Sequence, residues 1–391
     1  MKRALILLLV LAGLAVLLYR LQRTETGPTA GEPGAADTAA PASSEAAGGA
    51  GSATAALPAT PPAPLEAAVR DLPLAGPMAD RLAEVSSLTR LGPDFILLPQ
   101  YPGRFGADGT LDEDQETRGE GLLFALSLAE VEAALDGGEG AAALTPRPVP
   151  FTAPSAVTGL EGFEGFEAIA FLEDQVFVTI ETQDDEATRG FVAAGRFEQD
   201  GEGRLTAVRL DEAAPVEVPL PANLDNMSLE SLLVTPAGLL TFFEANGAKV
   251  NPQPLDQRLG FDLSLKEQVP FPSVEYRITD VTELDAAGCF WAVNYLFPGD
   301  AETLQPADDA IAARWGKGPT HAAFPQVERL LPLCYAEGRL SLADRAPIQL
   351  QLLDAETSRN WEGIERVEDR GFLMVTDKFP GTVLGFVEGG P

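Results

Sequence analysis

The sequence predicts an all-β fold, a five-bladed β-propeller preceded by a signal-anchor helix and a linker. Three observations predict it. Five short apolar hairpins recur along the chain from residue 85 onwards. A polar residue stands at each open end of every hairpin, at nearly constant spacing. A spare apolar strand precedes the first hairpin unit, and the last unit lacks a strand of its own.

The elements follow in chain order. Lys2 and Arg3 precede a 16-residue apolar run, Ala4 to Tyr19, and Arg20 and Arg23 follow it. No small-x-small cleavage site stands close behind, so residues 1–23 are expected to be an uncleaved signal anchor; a cleaved signal peptide is the alternative. The basic start orients the rest of the chain outwards, at a bacterial-type inner membrane with the folded part in the periplasm or outside. Residues 24–64 are Ala, Gly, Pro, Ser and Thr with a few acids and no apolar period, the composition of a disordered tether. The propeller is expected over 65–391.

Each hairpin joins two apolar strands through a turn of Gly, Pro, Asp or Asn. They are "VSSLTRLGPDFILLPQYPG" from Val85, "FEAIAFLEDQVFVTIETQ" from Phe166, "LESLLVTPAGLLTFFEANG" from Leu229, "TDVTELDAAGCFWAVNYLF" from Thr279 and "NWEGIERVEDRGFLMVTDK" from Asn360. A third strand follows each, at 121–128, 190–197, 259–265, 327–335 and 382–388. A fourth follows in the first four units, at 146–151, 215–221, 267–272 and 347–353. The fifth unit has none, and "VRDLPLAG" at 69–76 can supply it. Five four-stranded blades then close into a ring, which removes exposed sheet edges.

In a propeller the first strand of each blade lines the channel. Its start lies beside the end of the second strand, so the paired polar residues form two rings at one channel mouth. The inner ring is Ser86, Glu167, Glu230, Asp280 and Glu362. The outer ring is Gln100, Glu181, Glu244, Asn294 and Asp377, with Tyr101 and Tyr295 just behind it as pocket walls. Seven of these ten ring residues are carboxylates. Like charges this close must hold protons or a cation. Oxygen-only ligands suit a hard cation, Ca²⁺ before Mg²⁺. The inner ring is therefore the candidate metal site; capping of backbone N–H groups and pairing with loop Arg are the alternative.

The strand starts "EGIE", "LESL" and "FEAIAF" resemble the inner strands of five-bladed calcium propellers of the apyrase (calcium-activated nucleotidase) type, and are similar to phytase-like esterase and SdiA-regulated propellers. The stretch "FILLPQYPGRFGADGTLDEDQETRGEGLLF" at 95–124 looks like the same family's strand, charged loop and strand. The resemblance covers about residues 67–391 as architecture and only short motifs as sequence. It implies an axial Ca²⁺ held by Ser86, Glu167, Glu230 and Glu362. Asp280 departs from it, since Ser is expected at one more position.

The net charge of −32 excludes nucleic-acid binding through a bulk basic field. The loops after the second strands nevertheless each carry a base: Arg104, Arg118, Arg189, Lys249, Arg258, Arg314, Lys317 and Lys378, with the single His321 in the longest loop. Around an axial cation they would suit a small anionic ligand, a phosphate ester or carboxylate; pairing with neighbouring acids is the other reading. Cys289 opens one strand and Cys334 nears the end of its expected antiparallel neighbour, so a disulfide is expected in an oxidising compartment, with two free thiols as the alternative. No nucleophile elbow, P-loop, zinc or dinucleotide motif occurs, and no catalytic residue is legible. Two functions remain: a metal-dependent hydrolase of ester or phosphoester substrates, or a calcium-stabilised propeller that binds a ligand or protein. A monomer is expected.

Overall fold

The computed structural model describes residues 66–389, so the expected anchor at 1–23 and linker at 24–64 lie outside the described residues. The chain is mostly β. Five successive up-and-down units of four strands follow one another. The first is Val85–Leu91, Asp94–Pro99, Glu120–Ser127 and Arg147–Thr152. The second is Phe163–Leu172, Gln175–Gln183, Thr188–Gln199 and Leu205–Leu210. The third is Leu229–Thr235, Gly238–Phe243, Leu255–Leu259 and Leu265–Pro270. The fourth is Arg277–Val281, Cys289–Leu296, Val327–Ala336 and Ile348–Leu350. The fifth is Trp361–Val367, Gly371–Thr376 and Leu384–Glu388, completed by the N-terminal strand Val69–Leu72, which pairs antiparallel with Leu384–Glu388 from Val69↔Val387 to Leu72↔Leu384.

The first strands touch in a closed cycle. Val85–Leu91 packs against Phe163–Leu172 and Trp361–Val367, Leu229–Thr235 against Phe163–Leu172 and Arg277–Val281, and Arg277–Val281 against Trp361–Val367. The cores lie between successive units, because strand side chains alternate in direction. Phe95 and Leu97 join the cluster shared with the fifth unit, whereas Ile96 and Leu98 join the cluster shared with the second. The remaining interfaces carry Phe177 with Leu239, Phe242 with Phe290, and Trp291 with Phe372. Burial on both faces is why these strands read as nearly continuous apolar runs. A ring of sheets with its core between neighbours is propeller-like.

Some boundaries differ from the sequence expectation. The third strand of the third unit is Leu255–Leu259, not 259–265. Phe261 and Leu263 belong to the turn and are apolar because they pack on the interface core, with Leu263 at φ 59°. The outer strand of the second unit is Leu205–Leu210, not 215–221. The 12-residue strand Thr188–Gln199 is long enough to pair with it and, further along, with the short Val216–Val218. Leu205–Leu210 also pairs in parallel with Arg147–Thr152, joining the first two units edge to edge. Buried Asp94 fastens this seam, accepting from Arg147 Nη2 at 2.8 Å and Leu205 N at 3.2 Å. Gly238 and Gly371 open the second strands of their hairpins at φ 137° and 152°, where a Cβ would stand 2.1 and 2.0 Å from a neighbouring carbonyl oxygen; only glycine fits there. Cys289 and Cys334 face each other across adjacent strands and are joined by a disulfide.

Candidate functional site at the channel mouth

Every first strand carries a β-bulge near its start. The register slips between Val85 and Ser87, Phe166 and Ile169, Leu229 and Ser231, Ile278 and Val281, and Trp361 and Gly363. A bulge puts two residues opposite one and re-aims a side chain. In four of the five strands the residue at the slip lines one cavity of about 550 Å³: Ser86, Glu167, Glu230 and Glu362. All four are at most 6% exposed. Gln100, Glu181 and Asp377 line it too, as do Tyr101, Tyr295 and Lys378.

Asp280 does not join them. Its Oδ2 accepts from the amides of Ile364 at 2.9 Å and Leu88 at 3.4 Å, on two other first strands. It lines a separate cavity of about 270 Å³ further along the strands, towards the hairpin turns. Burial pushes its carboxyl well above the ordinary range, against those amide hydrogen bonds. Glu244 and Asn294 also stay out of the mouth. Both are fully buried. Glu244 pairs with Arg277 Nε, and Asn294 donates Nδ2 to the carbonyl of Arg277 at 2.9 Å. Together they hold Arg277, which the sequence reading missed.

Arg277 is the central base of the site. Its Nη2 lies 3.3 Å from Glu362 Oε1, its Nη1 3.8 Å from Asp300 Oδ2, and its guanidinium 5.8 Å from the ring centre of Tyr295. Burial disfavours its charge, but Glu362, Glu230 and Asp300 outweigh burial and keep it protonated. The sequence signal was available: an Arg at the start of a channel-lining strand in a Lys- and Arg-poor chain.

One guanidinium does not balance the cavity, which is lined by eight carboxylates and two bases, Arg277 and Lys378. Burial raises Glu167 well above its ordinary pKa, and the charges of Glu230, Glu181 and Glu362 add to it. Burial, then Glu230 and Glu164, push Glu181 up to about 8, against Arg277. Burial pushes Glu230 to about 7, with Arg277 opposing and Asp377 adding. Glu362 is likewise raised well above its ordinary value by burial. Donors are scarce. Gln100 Nε2 reaches Glu167 Oε1 at 3.3 Å and Tyr101 OH reaches Glu164 Oε2 at 3.4 Å. Asn360 Nδ2 reaches Asp377 Oδ2 at 3.5 Å, and among the described residues Glu362 Oε2 and Asp377 Oδ1 are buried without a hydrogen-bond partner. Among the described residues Glu181 and Glu230 receive no hydrogen bond and no ion pair, although they are only 3% and 5% exposed.

The other bases expected at the mouth are engaged elsewhere. Arg104 is buried between Glu84 at 3.1 Å and Glu116 at 2.7 Å. Arg189 pairs with Asp184, Arg258 with Glu267 and Arg314 with Asp344. Arg118 donates to the carbonyl of Glu120 and Lys249 to that of Pro306. Lys317 is exposed. His321 is buried, with Nδ1 3.0 Å from Glu66 Oε1 and Nε2 against the backbone of Glu328. Of the expected set only Lys378 reaches the cavity, and it lies 3.5 Å from Glu84 Oε2. Among the described residues no three or more Asp, Glu, His or Cys side chains are arranged to hold a metal ion.

No protein-family model matches the chain, and no curated protein matches it. Among solved structures, it is similar to the PQQ-bound aldose sugar dehydrogenase of Streptomyces coelicolor, with 13% identity and a TM-score of 0.40 over 84% of this chain and 99% of that one. It is also similar to the α-L-arabinofuranosidase of Lactobacillus brevis, with 10% identity and a TM-score of 0.40 over 81% and 92%. The α-L-arabinofuranosidase of Podospora anserina in complex with cellotriose gives 8% identity and a TM-score of 0.40 over 84% and 98%. Similarity this distant decides no function, and the residues at the mouth must carry the argument.

Proposed function

We propose that the chain is a five-bladed β-propeller whose channel mouth is a cation-binding, hydrolase-type site. The observation that carries this reading is the pair Glu181 and Glu230. Both are buried against one cavity and neither has a donor among the described residues. The oxygens of both acids open on the cavity and are not sealed in protein, so whatever satisfies them comes from the cavity, and a cation is the partner that also offsets their charge. Ca²⁺ is the first candidate. The donor set is oxygen only, and Glu362 Oε2 is unclaimed; Glu167, Glu230 and Glu362 with the Ser86 hydroxyl would hold it after closing together. A bound Ca²⁺ would neutralise their charge and polarise an ester or phosphoryl oxygen. The similarity of the strand starts to apyrase-type and phytase-like propellers supports the same choice. We also retain residues 1–23 as a membrane anchor, on their apolar run and basic flanks.

The hydrolase part rests on proton chemistry. Without metal, burial raises Glu181 to about 8 and Glu230 to about 7, and Ca²⁺ on Glu230 would hold that carboxyl ionised, so a proton-holding Glu181 would stand beside an ionised Glu230 near neutral pH. Acid–base hydrolysis needs that combination. Exposed Phe297 and Phe379 on the cavity rim favour a second reading, ligand binding without chemistry. Titrating Ca²⁺ into the metal-free full chain by calorimetry, then screening ester and phosphoester substrates with Ca²⁺ and with chelator, tests both parts. Saturable Ca²⁺ binding that Glu230→Gln weakens supports the site, and chelator-sensitive turnover supports the hydrolase. No Ca²⁺ binding rejects the metal. Binding without turnover of any substrate leaves the second reading.

A further inference from the structure

We infer that the organic ligand of this mouth is a primary ammonium compound with an apolar body, its ammonium seated on Glu230 and Glu362 and its apolar part against Phe297 and Phe379. This rests on the proposed reading of the mouth as a cation site and names a second class of cation for it: the ammonium would take the place of Ca²⁺ on Glu230 and Glu362, so the two exclude each other.

Four observations lead there. The cavity offers eight carboxyl groups and two bases, and both bases already have carboxylate partners, Arg277 with Glu244 and Glu362 and Lys378 with Glu84, so an anionic ligand finds no free cation there. The unclaimed groups are hydrogen-bond acceptors. Among the described residues neither Glu230 nor Glu362 Oε2 has a donor, and the two residues are each 5% exposed. An ammonium supplies three N–H donors, whereas a quaternary ammonium supplies none. The cavity, about 550 Å³, is far larger than an ion and falls in the ordinary range for small organic ligands.

The rim is apolar where the floor is charged. Phe297 and Phe379 are 46% and 51% exposed, the only large exposed hydrophobic residues beside this cavity among the described residues. Exposed aromatic surface next to a buried charge fits a ligand with one end of each kind. The protein already satisfies part of the site this way. The Arg277 guanidinium reaches Glu362 Oε1 at 3.3 Å while it lies over Tyr295, and Glu362 Oε2 remains without a partner.

The test uses the full chain, metal-free, with 2-phenylethylamine, its neutral isostere 2-phenylethanol and the anion 3-phenylpropanoate, each titrated by calorimetry. The amine is expected to bind at least about tenfold more tightly than the alcohol, since charged hydrogen bonds are at stake, and the anion not to bind. Glu230→Gln should weaken the amine by about tenfold. Phe297→Ala, at an exposed position that leaves the fold alone, should weaken the amine severalfold and leave the Ca²⁺ titration unchanged. Amine, alcohol and anion binding equally, or no amine binding in a protein that does bind Ca²⁺, would overturn this inference and leave the cation site standing. Neither amine nor Ca²⁺ binding would overturn both.

Discussion

Glu328 and Glu230 are the same residue type, both buried, at 0% and 5% exposure, and they have opposite surroundings. Glu328 receives the Arg359 amide at 3.0 Å, Arg359 Nε at 2.9 Å and Trp361 Nε1 at 2.8 Å, and forms an ion pair with Arg359 Nη2 at 2.8 Å. Glu230 receives nothing among the described residues, and burial lifts its pKa to about 7. Burial alone therefore does not mark a functional acid. We propose that the number of donors separates the two: Glu328, with a full set of partners, belongs to the scaffold, and Glu230, with no hydrogen bond or ion pair among the described residues, is open to a ligand. Glu66 extends the scaffold side, since it accepts from the amides of Thr320 and His321 and from Thr320 Oγ1.

The largest effect should come from removing scaffold. A chain starting after residue 78 loses Val69–Leu72 and Glu66, leaving Leu384–Glu388 as an open edge and His321 without its acid. It should lose cooperative melting, whereas a chain starting after residue 60 should melt like the full chain. Equal melting temperatures would contradict the closure. Next comes Arg359→Ala, which leaves Glu328 buried and unpaired. Denaturant unfolding should show a loss of about 3–5 kcal/mol; a loss below about 1 kcal/mol would erase the contrast with the mouth.

The pH dependence of the mouth should be smaller and of definite sign. Glu181 and Glu230 have folded pKa values of about 8 and 7, above the ordinary 4.5. Their stabilising contribution is complete below about pH 4.5 and is lost as pH rises through 7 to 8, because the folded state binds more protons in that window. Metal-free protein should therefore melt at a lower temperature at pH 8 than at pH 5.5. Glu365, held near 8 mainly by burial, adds the same sign and remains in a Glu181→Gln, Glu230→Gln variant. That variant should show a shallower fall, and an unchanged slope would remove the mouth from the account. The smallest change is Glu230→Gln alone. At pH 8 it deletes a buried charge whose only opposing term is the field of Arg277, so stability should stay within about 0.5 kcal/mol of the parent, in contrast to Arg359→Ala.

The hairpin pattern made much of this legible. Apolar alternation locates the strands, and two strand ends that must meet bring Ser86, Glu167, Glu230 and Glu362 to one cavity with Gln100, Glu181 and Asp377. What stayed hidden depends on single-residue register. In the fourth unit the bulge spans Thr279 and Asp280, and the Asp280 carboxylate turns to backbone amides on two other strands, which no spacing rule foresees. Arg277 reads as an isolated base until Glu244 and Glu362 are seen on either side of it. The partners of Arg104 and Arg189 lie in irregular loops, where apolar periodicity gives no guidance. The strand Leu205–Leu210, the outermost of its unit, has exposed Thr206 and Arg209, and its parallel pairing with Arg147–Thr152 joins two units, which no hairpin spacing foresees.

If the acids left without donors at the mouth await a cation, thermal melting should report it. Metal-free full chain at pH 8, where the mouth is most ionised, should gain stability as Ca²⁺ is added, by about 2.7 kcal/mol once free Ca²⁺ is a hundredfold above its dissociation constant. Glu230→Gln should lose most of that gain, while Arg359→Lys, on the scaffold side, should start lower and gain as much as the parent. A parent melting curve unmoved by Ca²⁺, or a gain that Glu230→Gln keeps in full, would contradict the account.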